Sequence, residues 1–357
     1  MLTIFGVIAV VAVVVFANSD GGGKVTQELK AAGARGKVVM WGTFPTNPTI
    51  TQLFVDFNKK FNGEFSVDYK YHDPKNFDTE IIEALASGKG PDILLLPDDL
   101  ILRHSDKISI IPTEQVPPSK FQSTYIQAAE IYMRPNGVLA LPFIIDPMVL
   151  YWNRDIFNNA SLTLTPKYWD ELLIIGPQLT KQDQKTRELT QSAIAFGEYR
   201  NITFAKDVIA MLFLQVGNPI VKLRDNRPTA VLSSSQNGGE LVPEQDVVSA
   251  FRFFMDFSNP TKNIYTWSRA EDVSLNEFVN GNLAMHIDFA SSYKFITEKN
   301  PHLNFAVASM PQPRGTSAEV TRGKVYGLSV LKSSKNQSSA LYAVKELLAD
   351  QNVSKMF

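Results

Sequence analysis

KVVMWGTFPTNPTITQLFVDFNKKFNGEFSVDYKYHDPKNFDTEIIEALASGKGPDILLL, residues 37–96, decides the fold. Val38-Val39-Met40-Trp41 is a short apolar run and reads as a buried strand. Pro45 and Pro48 break the chain. Thr49 then stands where a cap is needed for a helix through Phe61, because Ile50, Leu53, Phe54, Phe57 and Phe61 recur at helical spacing. Asn62-Gly63 closes that helix. Phe65–Tyr71 alternates with period two, as a half-buried strand does. A second helix is expected over Phe77–Ala86 with Ile81, Ile82 and Leu85 on one face, ended by Ser87-Gly88-Lys89-Gly90-Pro91. Asp92–Leu96 is continuously apolar after its first residue, the pattern of a strand covered on both faces. Strand, helix, strand, helix, strand with short links is the signature of an α/β layer built on a parallel sheet.

Beyond Pro97 the pattern loosens. A polar, proline-rich stretch to Ser119 precedes a helix expected over Phe121–Tyr132. Val138–Phe143 and Val149–Trp152 read as two strands with Asp146-Pro147 between them, and a proline there marks a break or crossover. Helices follow near 167–180 and 204–216, then a polar loop at 222–243, then helices near 244–257, 273–279 and 291–298. Leu283–Ile287, Phe305–Val307 and Tyr326–Val330 read as strands, and Ser338–Leu348 as a late helix. Met310-Pro311-Gln312-Pro313 is a second proline-marked break. No internal repeat is visible.

A chain of 357 residues suggests about two domains. Lys+Arg is 35 and Asp+Glu 36, a balance that argues against a nucleic-acid binder. There is no cysteine, which excludes a disulfide framework, a thiolate metal site, a cysteine nucleophile and a lipidated cysteine anchor. Leu2–Ala17 is intensely apolar with no basic residue before it. As a helix this run would span roughly 24 Å, slightly short of a hydrocarbon core. It reads as an uncleaved membrane anchor, as a signal peptide whose start lies upstream, or as a buried core helix. The flexible Asn18-Ser19-Asp20-Gly21-Gly22-Gly23 that follows favours an export arrangement over the third.

Catalytic signatures are sparse. Histidines 72, 104, 286 and 302 show no mutual ligand spacing, and there is no phosphate-binding loop or nucleophile elbow. What stands out is placement. Ligands of open α/β sheets sit beyond the carboxyl ends of the strands. Thr43-Phe44-Pro45-Thr46-Asn47, Pro97-Asp98-Asp99 and Ile145-Asp146 lie at such ends. An aromatic face beside Asp and Asn acceptors suits a sugar, whose apolar ring face packs on the aromatic while its hydroxyls donate to the acceptors. The same residues also suit plain structure, with Phe44 in the core and Asp98 and Asp99 capping a turn.

These residues carry a resemblance. In shared order over most of the chain come Val38-Val-Met-Trp-Gly, the helix from Phe54, the strand from Val67, and Ala86-Ser-Gly-Lys-Gly-Pro-Asp-Ile. Ala140-Leu-Pro-Phe, Leu150-Tyr-Trp-Asn-Arg-Asp-Ile-Phe, Tyr168-Trp-Asp-Glu-Leu, Phe278-Val-Asn-Gly-Asn-Leu-Ala-Met and Tyr326-Gly-Leu-Ser-Val follow. The series resembles the extracellular solute-binding proteins of carbohydrate-type ABC transporters, the maltose-binding-like group. The resemblance implies an α/β, periplasmic-binding-protein-like fold of two interleaved lobes with a hinge, preceded here by the N-terminal apolar helix. It divides the chain into a signal or anchor at 1–17, a linker at 18–36, lobe I at 37–146, lobe II at 147–309 and a return to lobe I at 310–357. Family members usually run on well past Leu348, so the C-terminal part of lobe II is expected to be missing.

The resemblance also implies ligand-binding positions: Thr43, Phe44, Asn47, Asp98, Asp99, Asp146, Tyr151, Tyr199, Asn201, Asp288, Ser291 and Tyr326. Leu96 and Ser291 stand where the family often places an aromatic, which leaves Phe44, Tyr199, Trp267 and Tyr326 to stack on a sugar, with Trp267 equally suited to a core. No catalytic residue, metal or cofactor is expected. The implied function is non-enzymatic binding of a small solute, a sugar or oligosaccharide, and its delivery to ABC permease subunits. The implied location is the outer face of the cytoplasmic membrane, held by the N-terminal segment, or the medium after cleavage. A monomer without nucleic-acid partners is expected. Two other readings stay open: a carbohydrate-active enzyme using Asp98, Asp99 or Asp146, and a ligand-binding module feeding a membrane sensor.

Overall fold

The computed structural model describes residues 29–349 apart from 31, 47, 62, 225–226, 236–240, 244 and 317. The apolar segment 1–17 and Asn47 therefore lie outside the described residues. The strands that position the site are, in chain order, β1 Gly36–Gly42, β2 Phe65–Tyr71, β3 Ile93–Pro97, β4 Leu141–Asn153, β5 Leu189–Ile194, β6 Leu283–Phe289, β7 Phe305–Ala308 and β8 Gly323–Leu331. The chain forms two compact units, one holding the described residues up to Asp146 and from Lys324, the other Pro147–Gly323. Met310 and Pro311 lie inside the second unit, so the chain returns after them, within β8, rather than at that proline pair.

In the first unit β1 pairs in parallel with both β2 and β3, and β8 adds antiparallel to β3. The helices Pro48–Lys60 and Phe77–Ala86 are the two crossovers of this layer. Their apolar stripes bury Ile50, Leu53, Phe54 and Phe57 in one, and Phe77 and Ile81 in the other. Ile82 turns outward and is exposed, because the second helix meets the sheet through a narrower stripe than the sequence suggests. β3 is buried along its whole length, as a strand covered on both faces must be. The first helix begins at Pro48, so Thr49 lies within its first turn and does not cap it. Proline suits that turn because its missing N–H has no intrahelical partner there. Leu29 and Ala34 are buried in this core, so the packed body begins before Lys37.

Asp92 knits the layer together. Its carboxylate accepts from Val39 N–H of β1 (2.9 Å), from the Ser334 hydroxyl (2.6 Å) and from the Asn336 amide (3.3 Å) beyond β8. Its backbone N–H donates to Val39 O, and its carbonyl accepts from Leu331 N–H. One side chain therefore joins β1, β3 and the end of β8.

Three further expectations are revised. The single helix over Phe121–Tyr132 is a helix at Pro118–Thr124 and a 3-10 turn at Gln127–Tyr132, split where Tyr125 turns extended after the weak helix formers Ser123 and Thr124. β4 runs unbroken through Pro147, which owes the sheet no N–H and whose carbonyl accepts from Ala290 N–H. The expected loop at 222–243 contains two antiparallel pairs, Val221–Arg224 with Arg227–Ala230 and Ser233–Ser235 with Leu241–Pro243. Their few apolar residues give no alternation to read.

In the second unit β6 pairs antiparallel with β4 and parallel with β5, and β7 adds to β4. β6 is buried throughout, and the core around it includes Trp169, Phe196, Phe254, Trp267 and Met285. Among the described residues no helix is long and apolar enough to cross a membrane.

Asp92→Ala should cost about 3 kcal/mol, since it leaves a buried N–H and two side-chain donors without their charged acceptor. Urea unfolding followed at Trp41, the one tryptophan of the first unit, measures this, and Asp92→Asn should recover part of it.

Candidate functional site

β1 and β3 run in parallel with Gly42 opposite Leu95, so their carboxyl ends share one edge of the first unit. Thr43 N–H donates to Leu95 O (3.3 Å), which carries the ladder one residue past the strand. Only glycine fits at 42. A Cβ there would lie 2.7 Å from Leu95 O and from the Tyr69 ring and hydroxyl. The open space lets Tyr69, stacked on Phe54 with ring centroids 5.2 Å apart, reach the departing loop and donate its hydroxyl to Phe44 O (2.6 Å). So tethered, the half-buried Phe44 ring stands edge-on to Tyr326, with centroids 5.1 Å apart at 82°.

Tyr326 is the antiparallel partner of Pro97, which brings Asp98 and Asp99 beside it. The Asp98 carboxylate accepts from Val325 N–H (3.3 Å), and Asp99 accepts from Leu100 N–H. Burial raises the Tyr326 phenol above its ordinary pKa, and the carboxylates of Asp146, Asp99 and Asp98 raise it further. Tyr132 donates its hydroxyl to Val325 O and is raised in the same way, by burial first and then by Asp98 and Asp99. Both phenols are therefore neutral donors at physiological pH. Thr43 is 2% exposed, and its hydroxyl has no hydrogen-bond partner. Thr43, Phe44, Asp98, Asp99, Asp146 and Tyr326 are thus gathered at one sheet edge.

β5 and β6 also run in parallel, with Ile194 opposite Met285, so their carboxyl ends share an edge of the second unit. Tyr199 follows β5 and is 63% exposed, and Ser291 follows β6 and is also exposed. The other residues expected here are enclosed. Tyr151 is fully buried, its hydroxyl donating to Phe289 O (2.9 Å) and Ala290 O (3.0 Å). Asp288 is fully buried against His286 Nε2 (3.1 Å) and Phe289 N–H (2.6 Å). Asn201 donates to Ser268 O and Glu271 O and accepts from the indole N–H of Trp267 (3.1 Å). Trp267 itself has no exposed surface, so it is a core residue and not a stacking face. These side chains hold the turns that carry Tyr199 and Ser291.

Sequence reasoning missed two residues. Tyr69 reads as one more member of an alternating strand, and nothing in the sequence shows where its hydroxyl goes. Phe204 sits just before the helix Ala205–Gln215 in the left-handed region (φ 54°), which a bulky residue rarely adopts. It is partly exposed, and its ring stands edge-on to Phe289 at 4.9 Å. Asn201 O accepts from Ser274 N–H, and Thr203 N–H donates to the Ser274 hydroxyl, so the turn that presents Phe204 is pinned on both sides. Three of the histidines pair with carboxylates, His72 with Glu80, His104 with Asp78 and His286 with Asp288, and no two share a partner. Among the described residues no group of three His, Asp or Glu side chains could hold a metal ion.

The model of the family described as bacterial extracellular solute-binding protein matches residues 52–357. No curated protein matches the chain by sequence. Solved structures share its fold. An ABC substrate-binding protein from Listeria monocytogenes in complex with cycloalternan superposes with a TM-score of 0.68 at 14% identity, covering 90% of this chain and 77% of that one. A maltose/maltodextrin-binding domain from Bdellovibrio bacteriovorus bound to maltotriose has a TM-score of 0.65 at 15% identity, with 90% and 78% covered. UgpB from Mycobacterium tuberculosis in complex with glycerophosphocholine has a TM-score of 0.66 at 17% identity, with 90% and 77% covered.

Tyr69→Phe removes one buried hydrogen bond while keeping the ring on Phe54. It should cost about 1 kcal/mol in urea unfolding and speed hydrogen exchange at the Thr43 and Phe44 amides. Unchanged exchange there would show that the Tyr69 hydroxyl does not hold the loop.

Proposed function

Since the chain belongs to the bacterial extracellular solute-binding proteins, we propose that its solute is a sugar or oligosaccharide, bound without chemical change and passed to the permease subunits of an ABC transporter. The observation that carries this reading is the edge of the first unit, where the Phe44 ring stands beside the carboxylates of Asp98, Asp99 and Asp146 and the Tyr326 phenol. An aromatic face with oxygen acceptors and a neutral donor meets both faces of sugar chemistry, the apolar ring and the hydroxyl rim. Three carboxylates in one place disfavour an anionic solute by like-charge repulsion. In the second unit, Tyr199, Ser291 and Phe204 are the side chains available to contact ligand, while Tyr151, Asn201 and Asp288 support them from behind.

Family membership places the protein outside the cytoplasm. Residues 2–17 are proposed as the export signal or membrane tether, and the protein is proposed to act as a monomer. Asp98 and Asp99 follow one another at a helix start, an arrangement that supports binding over hydrolysis between those two carboxylates.

Isothermal titration calorimetry against neutral mono- and oligosaccharides should find at least one binder. Phe44→Ala should weaken it about tenfold or more, equivalent to about 1.4 kcal/mol. No heat with any sugar from a folded preparation would overturn the sugar reading, and release of reducing ends would overturn binding without chemistry.

A further inference from the structure

Where the helix Gln337–Leu347 ends, the first unit has a pocket that shares no residue with the edge described above. It encloses about 40 Å³ and is lined by Gln115, Lys120, Phe121, Tyr125, Leu141 and Lys345, among others, with mostly apolar walls. Its few polar groups are mismatched. Tyr125 is 7% exposed, packs its ring on Phe121 with centroids 4.7 Å apart, and has a buried hydroxyl with no hydrogen-bond partner. Lys345 donates to Gln115 Oε1 (3.0 Å), a neutral amide oxygen. Among the described residues no carboxylate pairs with Lys345 or with Lys120. Partial burial pulls the Lys345 ammonium below the usual lysine pKa and burial pushes the Tyr125 phenol up, so the pocket presents a partly desolvated cation and an undissociated donor.

A single water needs about 10–15 Å³ of such space, so this pocket takes a group of a few heavy atoms. A water or an alcohol could satisfy Tyr125 and would leave the cation without a counter-charge. A carboxylate does both, since its two oxygens accept from different donors. We propose that this pocket is a binding site for a carboxylate on a short aliphatic stem, with one oxygen on the Tyr125 hydroxyl, the other on the Lys345 ammonium, and the stem against Phe121 and Leu141. A free short-chain monocarboxylic acid and the glutamate side chain of a partner polypeptide carry the same chemistry.

The test uses the full chain with 13C-labelled lysine and follows the Lys345 side-chain resonance by NMR. Propionate is titrated in one arm, and a capped pentapeptide with a central Glu in the other. Propionamide and the matching Gln peptide serve as uncharged controls. Saturable binding is expected, with the uncharged control weaker by about tenfold or more. Lys345→Met should lose the binding, Lys345→Arg should keep it, and Tyr125→Phe should weaken it several-fold. Tighter binding of propionate identifies a free acid as the ligand, and tighter binding of the peptide identifies a side chain. The proposal is overturned if neither probe saturates, or if affinity is unchanged in folded Tyr125→Phe and Lys345→Met. Should Lys345→Met fail to fold, equal affinity for propionate and propionamide overturns it as well.

Discussion

The first unit depends on one buried carboxylate. Asp92 accepts from a backbone N–H of β1 and from two side chains beyond β8, while its own backbone bonds to Val39 and Leu331. A buried carboxylate is tolerable only when its lone pairs are met, and here they join β1 to the turn beyond β8. The register that results places Tyr326 opposite Pro97, and from that pairing follows the nearness of Tyr326 to Asp98, Asp99 and Phe44. The site inherits its geometry from a hydrogen-bond node at the far end of the same strands.

The residues that carry the family resemblance mostly do structural work. Asp92 ties strands, and Asn153 caps the helix Arg154–Asn159 by accepting from Asp155 and Ile156 N–H. Trp169 donates its indole N–H to Gln215, which in turn donates to Pro311 O and Val320 O. Tyr151 and Asn201 spend their polar atoms on backbone and on Trp267. Such satisfied polar groups hold the two cores, and Phe44, Asp99, Tyr199 and Ser291 are left more exposed than they are.

Much of the layer was legible because its signals are local. Period-two alternation marks Phe65–Tyr71, helical spacing marks the stripe from Ile50 to Phe57, and a bare apolar run marks β3. The gathering of Thr43, Phe44, Asp98, Asp99 and Asp146 followed from the rule that ligands sit at the carboxyl ends of strands. What stayed hidden is non-local or conformational. The positive φ of Phe204 has no sequence mark, since only glycine advertises the left-handed region. Pro147 read as a break because a sequence does not show which ladder positions lack a partner. That Tyr151 and Asp288 face inward depends on which carbonyl, N–H or imidazole lies across the sheet.

The first unit is discontinuous in sequence, and this bears on how the protein is made. The Asp92–Ser334 bond spans a separation of 242 residues, and β8 reaches β3 only after the whole of Pro147–Gly323 has been built. During synthesis the second unit, one unbroken stretch, can close its core while β3 waits with an unpaired edge. Contacts of such long sequence separation slow folding, because loop-closure entropy is spent before they form. The Tyr326 side of the edge that holds Thr43, Phe44 and Asp98 is therefore the last part of the first unit to be completed.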